Sequence, residues 1–279
     1  AYPKRLKEIY DPPLVLYCRG DVAALDKEGI AVVGSRRTTY YGLETAKKLS
    51  YQMAYAGLAV NSGLARGVDT AAHQGALAAK GRTVAVLGSS LDHLYPAENK
   101  ALARKIVEER GAVVSEFPFG TAPDRRTFPM RNRIVSGMST GILVVEAGKS
   151  SGALITAKMG LEHGKTIYAV PGQITSPESK GCHGLIKEGA KLVEEVEDIL
   201  SEYEFSFSKP KIAPKRPWPD DLSDEEKKIL EVMQTDENQM DLLIQKTGLA
   251  SHVVSSSLLR LEMRKLVRQL PGKIFIKTD

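Results

Sequence analysis

From Gly29 to about Leu200 the chain alternates short apolar runs with longer amphipathic stretches. The runs are Ile30–Val33, Leu58–Val60, Thr83–Leu87, Ala112–Val114, Ile142–Val145 and Thr166–Val170. They are rich in Val and Ile and apolar at nearly every position, as strands buried on both faces of a parallel sheet read. Between them, Leu43–Tyr55, Thr70–Ala79, Lys100–Glu109 and Leu154–His163 carry the 3.6-residue pattern of helices. This alternation predicts a doubly wound α/β domain with right-handed crossovers. Gly57, Gly81, Gly111 and Gly164 each follow a helical stretch, where a left-handed cap suits glycine.

The pattern breaks at residues 201–219, where Pro210, Pro214, Pro217 and Pro219 lie among charges and predict a linker. Domains are therefore expected at 1–200 and 220–279. In the second, Ser223-Asp-Glu-Glu226 is a capping box that opens a helix running through about Gln234. A second helix fits Gln239–Thr247, ended by Gly248. A third follows Ser251 and runs through Val254, Leu258, Leu261 and Lys265. Leu266–Leu270, Pro271-Gly272 and Lys273–Lys277 read as a hairpin. Three short helices and a hairpin make a winged helix.

Composition narrows the class. The 279 residues are 42% hydrophobic and 26% charged, enough apolar matter for a real core. No stretch reaches the roughly 18 apolar residues of a membrane span. Ala1-Tyr-Pro-Lys-Arg has no apolar run behind its charges, so no secretory signal is expected and the cytoplasm is the default setting. Cys18 and Cys182 lie far apart, which excludes a disulfide scaffold and a multi-cysteine metal cluster. The net charge of +5 is unevenly spread: residues 1–200 carry +5, 201–216 carry +2 and 217–279 carry −2. The basic character that suits a nucleic-acid partner thus belongs to the large domain.

Ligands of an open parallel sheet sit outside the carboxyl ends of its strands. The first run leads into Gly34-Ser-Arg-Arg-Thr-Thr-Tyr-Tyr-Gly42, where Gly34 allows a tight turn and Ser35 with the following amides can face a phosphate. Arg36 adds a bidentate donor. The second run leads into Ser62-Gly-Leu-Ala-Arg-Gly-Val-Asp69, in which Ser62, Gly63 and Arg66 make another phosphate-compatible loop and Asp69 can cap the next helix. His73, without a Ser, Cys or metal-ligand partner, reads as structural.

The strongest basic element is the segment 124–133, where Arg125, Arg126, Arg131 and Arg133 surround Phe128. Guanidinium groups beside an aromatic ring suit a single strand of nucleic acid: cations take phosphates and the ring stacks on a base. The alternative is a solvated loop whose Phe128 packs down. A fourth loop, Glu146-Ala-Gly-Lys-Ser-Ser151, places Lys149 ahead of a helix without forming a Walker A motif. The first loop lacks Gly-x-Gly-x-x-Gly, and Asn61 stands where a dinucleotide site has its acid, so no nicotinamide cofactor is expected.

Taken in order, these motifs resemble the DNA-processing protein A family, also called Smf. The resemblance rests on Asp11-Pro-Pro-Leu-Val-Leu-Tyr17, Gly34-Ser-Arg36, Ser62-Gly-Leu-Ala-Arg-Gly-Val-Asp69, Phe128-Pro-Met-Arg-Asn-Arg133, Ser151-Gly-Ala-Leu-Ile-Thr-Ala157 and Val170-Pro-Gly172. It implies a Rossmann-like domain followed by a winged helix. It further implies a homodimeric, cofactor-free protein that binds single-stranded DNA, protects incoming strands in natural transformation and loads the RecA recombinase. By motif, Gly34, Ser35, Arg36, Arg125 and Phe128 would hold the strand. Loop position adds Ser62, Gly63, Arg66, Arg131, Asn132 and Lys149.

Two other readings compete. A phosphoribohydrolase on a related fold needs a glutamate after its glycine-rich loop, yet no Asp or Glu occurs from Ala147 to Leu161. A repressor reading duplex DNA through the winged helix needs a positive face, and that domain is acidic overall. A non-enzymatic DNA chaperone is the reading these residues favour.

Overall fold

The structure, a computed structural model, describes residues 2–203, 219, 221–233, 238–264, 266–270, 272 and 274–277. Its contacts divide the chain into two units, residues 1–210 and 211–279. Most of the expected linker lies outside the described residues. Its first three residues, 201–203, pack on the large unit: the buried Tyr168 hydroxyl donates to Glu202 (2.6 Å), which also pairs with Lys191 (3.1 Å).

The large unit is built on an eight-stranded sheet. Its strands are β1 (Tyr17–Gly20), β2 (Gly29–Val33), β3 (Ala59–Ser62), β4 (Thr83–Val86), β5 (Ala112–Ser115), β6 (Gly141–Val144), β7 (Thr166–Ala169) and β8 (Lys191–Leu192). The order is β1-β5-β4-β3-β2-β6-β7-β8, all parallel except β1, which runs antiparallel to β5. Six strands coincide with the predicted apolar runs. The two edge strands do not, because half-exposed edges such as Tyr17-Cys-Arg-Gly20 need no continuous apolar run.

The helices are α1 (Lys4–Lys7), α2 (Tyr40–Tyr55), α3 (Val68–Ala78), α4 (Lys100–Glu108), α5 (Thr127–Gly137), α6 (Gly152–Glu162), α7 (Lys180–Lys187) and α8 (Glu197–Leu200). Successive residues of β2 point to opposite faces and divide the core. Ile30 and Val32 pack with α2, α3 and Val60, whereas Ala31 and Val33 pack with Ile134 of α5, Ala157 of α6 and Cys182 of α7. Burial on both faces is why these strands are apolar throughout.

Two of the four glycine caps are used differently from expectation. Gly57 and Gly164 are left-handed, with φ of 101° and 66°. At the other two turns the left-handed residues are Lys80 (φ 54°) and Arg110 (φ 61°), one position earlier. The glycines there provide close approach instead: a Cβ on Gly81 would lie 2.6 Å from Ala54 Cβ, and one on Gly111 2.5 Å from the Thr83 carbonyl.

His73 is fully buried in α3, where its Nδ1 meets Thr83 Oγ1 at 2.7 Å. The Thr83 hydroxyl donates to the Val60 carbonyl (2.6 Å), so the histidine nitrogen is the donor in that pair. Nε2 has no partner among the described residues. Burial, reinforced by the Arg131 charge, lowers the imidazole pKa to about 3. This is the structural histidine the sequence suggested.

The small unit contains α9 (Asp224–Val232), β9 (Asn238–Gln239), α10 (Met240–Thr247), α11 (Ser251–Met263), β10 (Val267–Leu270) and β11 (Ile274–Lys277). The Ser223–Glu226 capping box forms in full, and Gly248 ends α10 with φ 66°. β10 and β11 pair antiparallel, and β9 adds a short third strand. Ile229, Leu230, Leu243, Val254, Leu258, Leu261 and Phe275 form its core.

Lys80→Gly is expected to raise stability by about 1 kcal/mol by relieving the left-handed backbone. Gly81→Ala, one residue on, is expected to lower it by about 1–3 kcal/mol through the Ala54 overlap. Urea unfolding of both variants checks the pair. His73 sets a pH dependence: with its folded pKa below the unfolded value near 6.5, the unfolded chain binds the extra proton. Stability is then complete above about pH 6.5 and falls by about 1.4 kcal/mol per pH unit towards pH 3. His73→Gln should remove that component from the acid limb of a denaturation series.

Candidate nucleic-acid interface

The sheet reverses its winding between β2 and β6, so the loop after β2 emerges at the switch point. That loop is Gly34-Ser-Arg36, partly exposed, with Gly34 closely packed against Val68. Its shape is set by Glu146, which is buried just beyond β6. The carboxylate accepts from the Thr39 amide (2.7 Å), the Thr39 hydroxyl (2.7 Å) and the Thr38 hydroxyl. Thr39 then caps α2 by accepting from Gly42 N at 3.2 Å.

This revises the phosphate cradle expected at the start of α2. The chain's own Glu146 satisfies the loop, and the Ser35 hydroxyl is engaged with the Arg37 backbone, accepting from its amide (3.2 Å) and donating to its carbonyl (3.0 Å). What the loop offers outward is Arg36. Its guanidinium lies over the Phe128 ring, 5.0 Å from the centroid, and it has no ion pair among the described residues.

Phe128 comes from α5, a helix that the alternation of apolar runs and amphipathic stretches does not predict. Asp124 accepts from the Arg126 amide (2.8 Å), Thr127 hydrogen-bonds Asp124 and Gly88, and Pro129 falls in the first turn, where its missing N–H costs nothing. The ring rests against Gly88, where a Cβ would lie 2.6 Å from Phe128 Cδ1. Beyond it stands Tyr95, with ring centroids 5.8 Å apart and an interplanar angle of 44°. Arg66 lies over Tyr95 at 5.9 Å and pairs with Glu98. The hydrogen bond from Arg66 holds the Glu98 carboxyl below the usual carboxylate range.

Together Arg36, Gly63, Ala65, Arg66, Tyr95, Pro96, Phe128 and Arg131 line one cleft. It is fed by the loops after β2, β3 and β4 and by α5, which follows β5. Tyr95 and Pro96 were not singled out from the sequence. The available signal was an exposed-type aromatic in Leu94-Tyr-Pro-Ala-Glu-Asn99, between a strand and a helix.

The arginines of segment 124–133 do not act alike. Arg125 and Arg126 are exposed on the turn before α5. Arg133 is consumed by Glu116 (2.9 and 2.7 Å) and Asp11 (3.2 Å). Arg131 is 4% exposed and forms the floor. Its guanidinium donates to the Val86 carbonyl and to Asn132 Oδ1 (3.2 Å) and lies flat against Gly63, where a Cβ would come within 2.2 Å of Nη1. Burial lowers its pKa to about 10, the Asp69 charge opposes that fall, and Arg36 adds to it; the group stays cationic at neutral pH. Asp69, also buried, does not cap α3 as expected. It accepts from the amides of Gly63 (3.1 Å) and Ala65 (3.2 Å) and so closes the preceding loop.

Two other expected site residues lie elsewhere. Ser62 is fully buried and donates to the Val32 carbonyl (2.6 Å), so it cannot meet a ligand. Lys149 is exposed after β6 and does not line the cleft. Asn132 is partly buried and engaged with Arg131.

The chain matches the family model of the DNA recombination-mediator protein A over residues 1–204 and that of the DprA winged helix domain over 213–273. It is 38% identical over 275 residues to Protein Smf of Escherichia coli K12, covering 97% of this chain and 74% of that protein. Among solved structures it is similar to DNA processing protein A of Streptococcus pneumoniae (43% identity, TM-score 0.68, 72% of this chain and 70% of that one). It is also similar to that of Helicobacter pylori, described for its single-stranded DNA binding mode (28% identity, TM-score 0.68, 75% and 95%). With the large unit and the winged helix each matched, the chain belongs to the DNA recombination-mediator protein A family.

Proposed function

We propose that the large unit binds single-stranded DNA at this cleft, without reading its sequence and without chemistry on it. The observation that carries the reading is Arg36, free of ion pairs among the described residues and held over Phe128 at the sheet's switch point. A guanidinium over a ring offers a phosphate donor and a stacking surface together. An unstacked base can lie on the guanidinium plane or take its place on the ring; a paired base in a duplex cannot reach it. The exposed Arg125 supplies a second phosphate contact. The Helicobacter relative with a described single-strand binding mode supports single-stranded DNA as the ligand.

The enzyme alternative has less to stand on. The carboxylate at the cleft rim, Glu98, is held by Arg66. Glu146 and Glu116 are occupied by loop closure and by Arg133 respectively. Duplex reading by the winged helix has less support as well, because Arg260 of α11 and Arg264 just after it pair with Glu226 (3.0 Å) and Asp221 (2.8 Å). Lys265 lies outside the described residues. Protection of incoming strands, loading of the RecA recombinase, homodimerisation through the large unit and a cytoplasmic setting complete the proposal. Among the described residues, no helix is long and apolar enough to cross a membrane.

Fluorescence anisotropy of a labelled dT oligomer and an equal-length duplex, titrated at several salt concentrations, tests the reading. Salt-sensitive binding that favours the single strand is expected. Arg36→Ala and Arg125→Ala should each weaken it about tenfold and flatten the logarithmic salt slope by about 0.7. Unchanged affinity and slope in both variants would overturn the cleft assignment.

A further inference from the structure

The cleft rim repeats one arrangement. Arg36 lies over Phe128, and Arg66 lies over Tyr95, with the two rings 5.8 Å apart. The rim therefore runs cation, ring, ring, cation. The halves differ in one respect: Arg36 has no carboxylate partner among the described residues, whereas Arg66 is bound by Glu98.

That pairing is held by the scaffold. Asn99, buried beside Glu98, donates through Nδ2 to the Leu64 carbonyl (2.9 Å), the Ala65 carbonyl (3.4 Å) and Thr70 Oγ1 (2.9 Å). It thereby fastens the Glu98 turn to the loop that carries Arg66. Yet the ion pair itself is open to water, with both side chains about half exposed. An exposed pair adds little net stability and yields readily to a competing anion. Tyr95 is 40% exposed at the cleft.

We propose that Arg66 and Tyr95 form a second nucleotide subsite beside Arg36 and Phe128, and that Glu98 occupies the phosphate position there until a strand displaces it. The proposal rests on the single-strand reading above. In the bound state the backbone phosphate takes the guanidinium from Glu98 and the base of that nucleotide stacks on Tyr95. Glu98 then acts as a built-in competitor: it keeps Arg66 oriented in the empty protein and lowers affinity for anions that offer no base to stack.

The test is anisotropy with the labelled dT oligomer on Glu98→Gln, Arg66→Ala, the double variant, Tyr95→Leu and Tyr95→Phe, with Arg36→Ala alongside. Glu98→Gln is expected to tighten binding about threefold at low salt. In the Arg66→Ala background the same change should do nothing. Tyr95→Leu should weaken binding about tenfold, and Tyr95→Phe should not. Thermal unfolding identifies any variant that fails to fold; if Tyr95→Leu does, the Glu98 and Arg66 cycle decides alone.

Three results would overturn the inference: no tightening by Glu98→Gln, equal tightening with Arg66 absent, or wild-type affinity in a folded Tyr95→Leu. Any of these alongside a weakened Arg36→Ala leaves the first subsite standing and removes the second. Failure of the unaltered protein to bind the single strand removes both.

Discussion

The buried carboxylate of Glu146 is the point on which the cleft depends. It sits where the sheet reverses direction, and three hydrogen-bond donors from Thr38 and Thr39 converge on it. A buried carboxylate is tolerable only when its oxygens are so occupied. The consequence runs outward: the loop after β2 has one shape, α2 starts at Tyr40, and Arg36 has a fixed base from which to cover Phe128. A helix start that could have received a ligand phosphate is satisfied internally, and the binding surface moves to the guanidinium beside it.

Around that point the basic residues divide by burial and partner. Arg131 is a floor whose charge Asp69 helps to keep, and Arg133 is a tie to Glu116 and Asp11. Arg66 is shared with Glu98, while Arg36 and Arg125 face solvent without ion pairs among the described residues. Arg36 and Arg125 can neutralise a phosphate at least cost and the exposed Arg66–Glu98 pair at little more, whereas a buried cation gives up a strong existing interaction to do so. A net charge of +5 therefore overstates what the cleft can offer, and the positions of a few guanidinium groups matter more.

Much of the architecture was legible in the order of residues. Strands buried on both faces must be apolar throughout, so the six inner strands announced themselves, as did the Ser223 capping box and the Gly248 stop. The local motifs Gly34-Ser-Arg36 and Phe128 also stood out as a cation and an aromatic at strand ends, and the fold brings them together in one cleft. These are properties of sequence-local chemistry.

What needed the tertiary structure was every question of partner. That Arg133 is neutralised depends on Glu116 and Asp11, far away in the chain. Ser62 is lost to the Val32 carbonyl, Gly63 makes room for the Arg131 guanidinium, and Tyr95 meets Phe128, all across long separations. Gly81 and Gly111 serve close contact with other elements, not the turn geometry their positions suggested. Periodicity and caps arise from interactions within a few residues, so the sequence alone determined them. The availability of a charge is set by which distant groups the fold brings against it, and only the folded chain decided that.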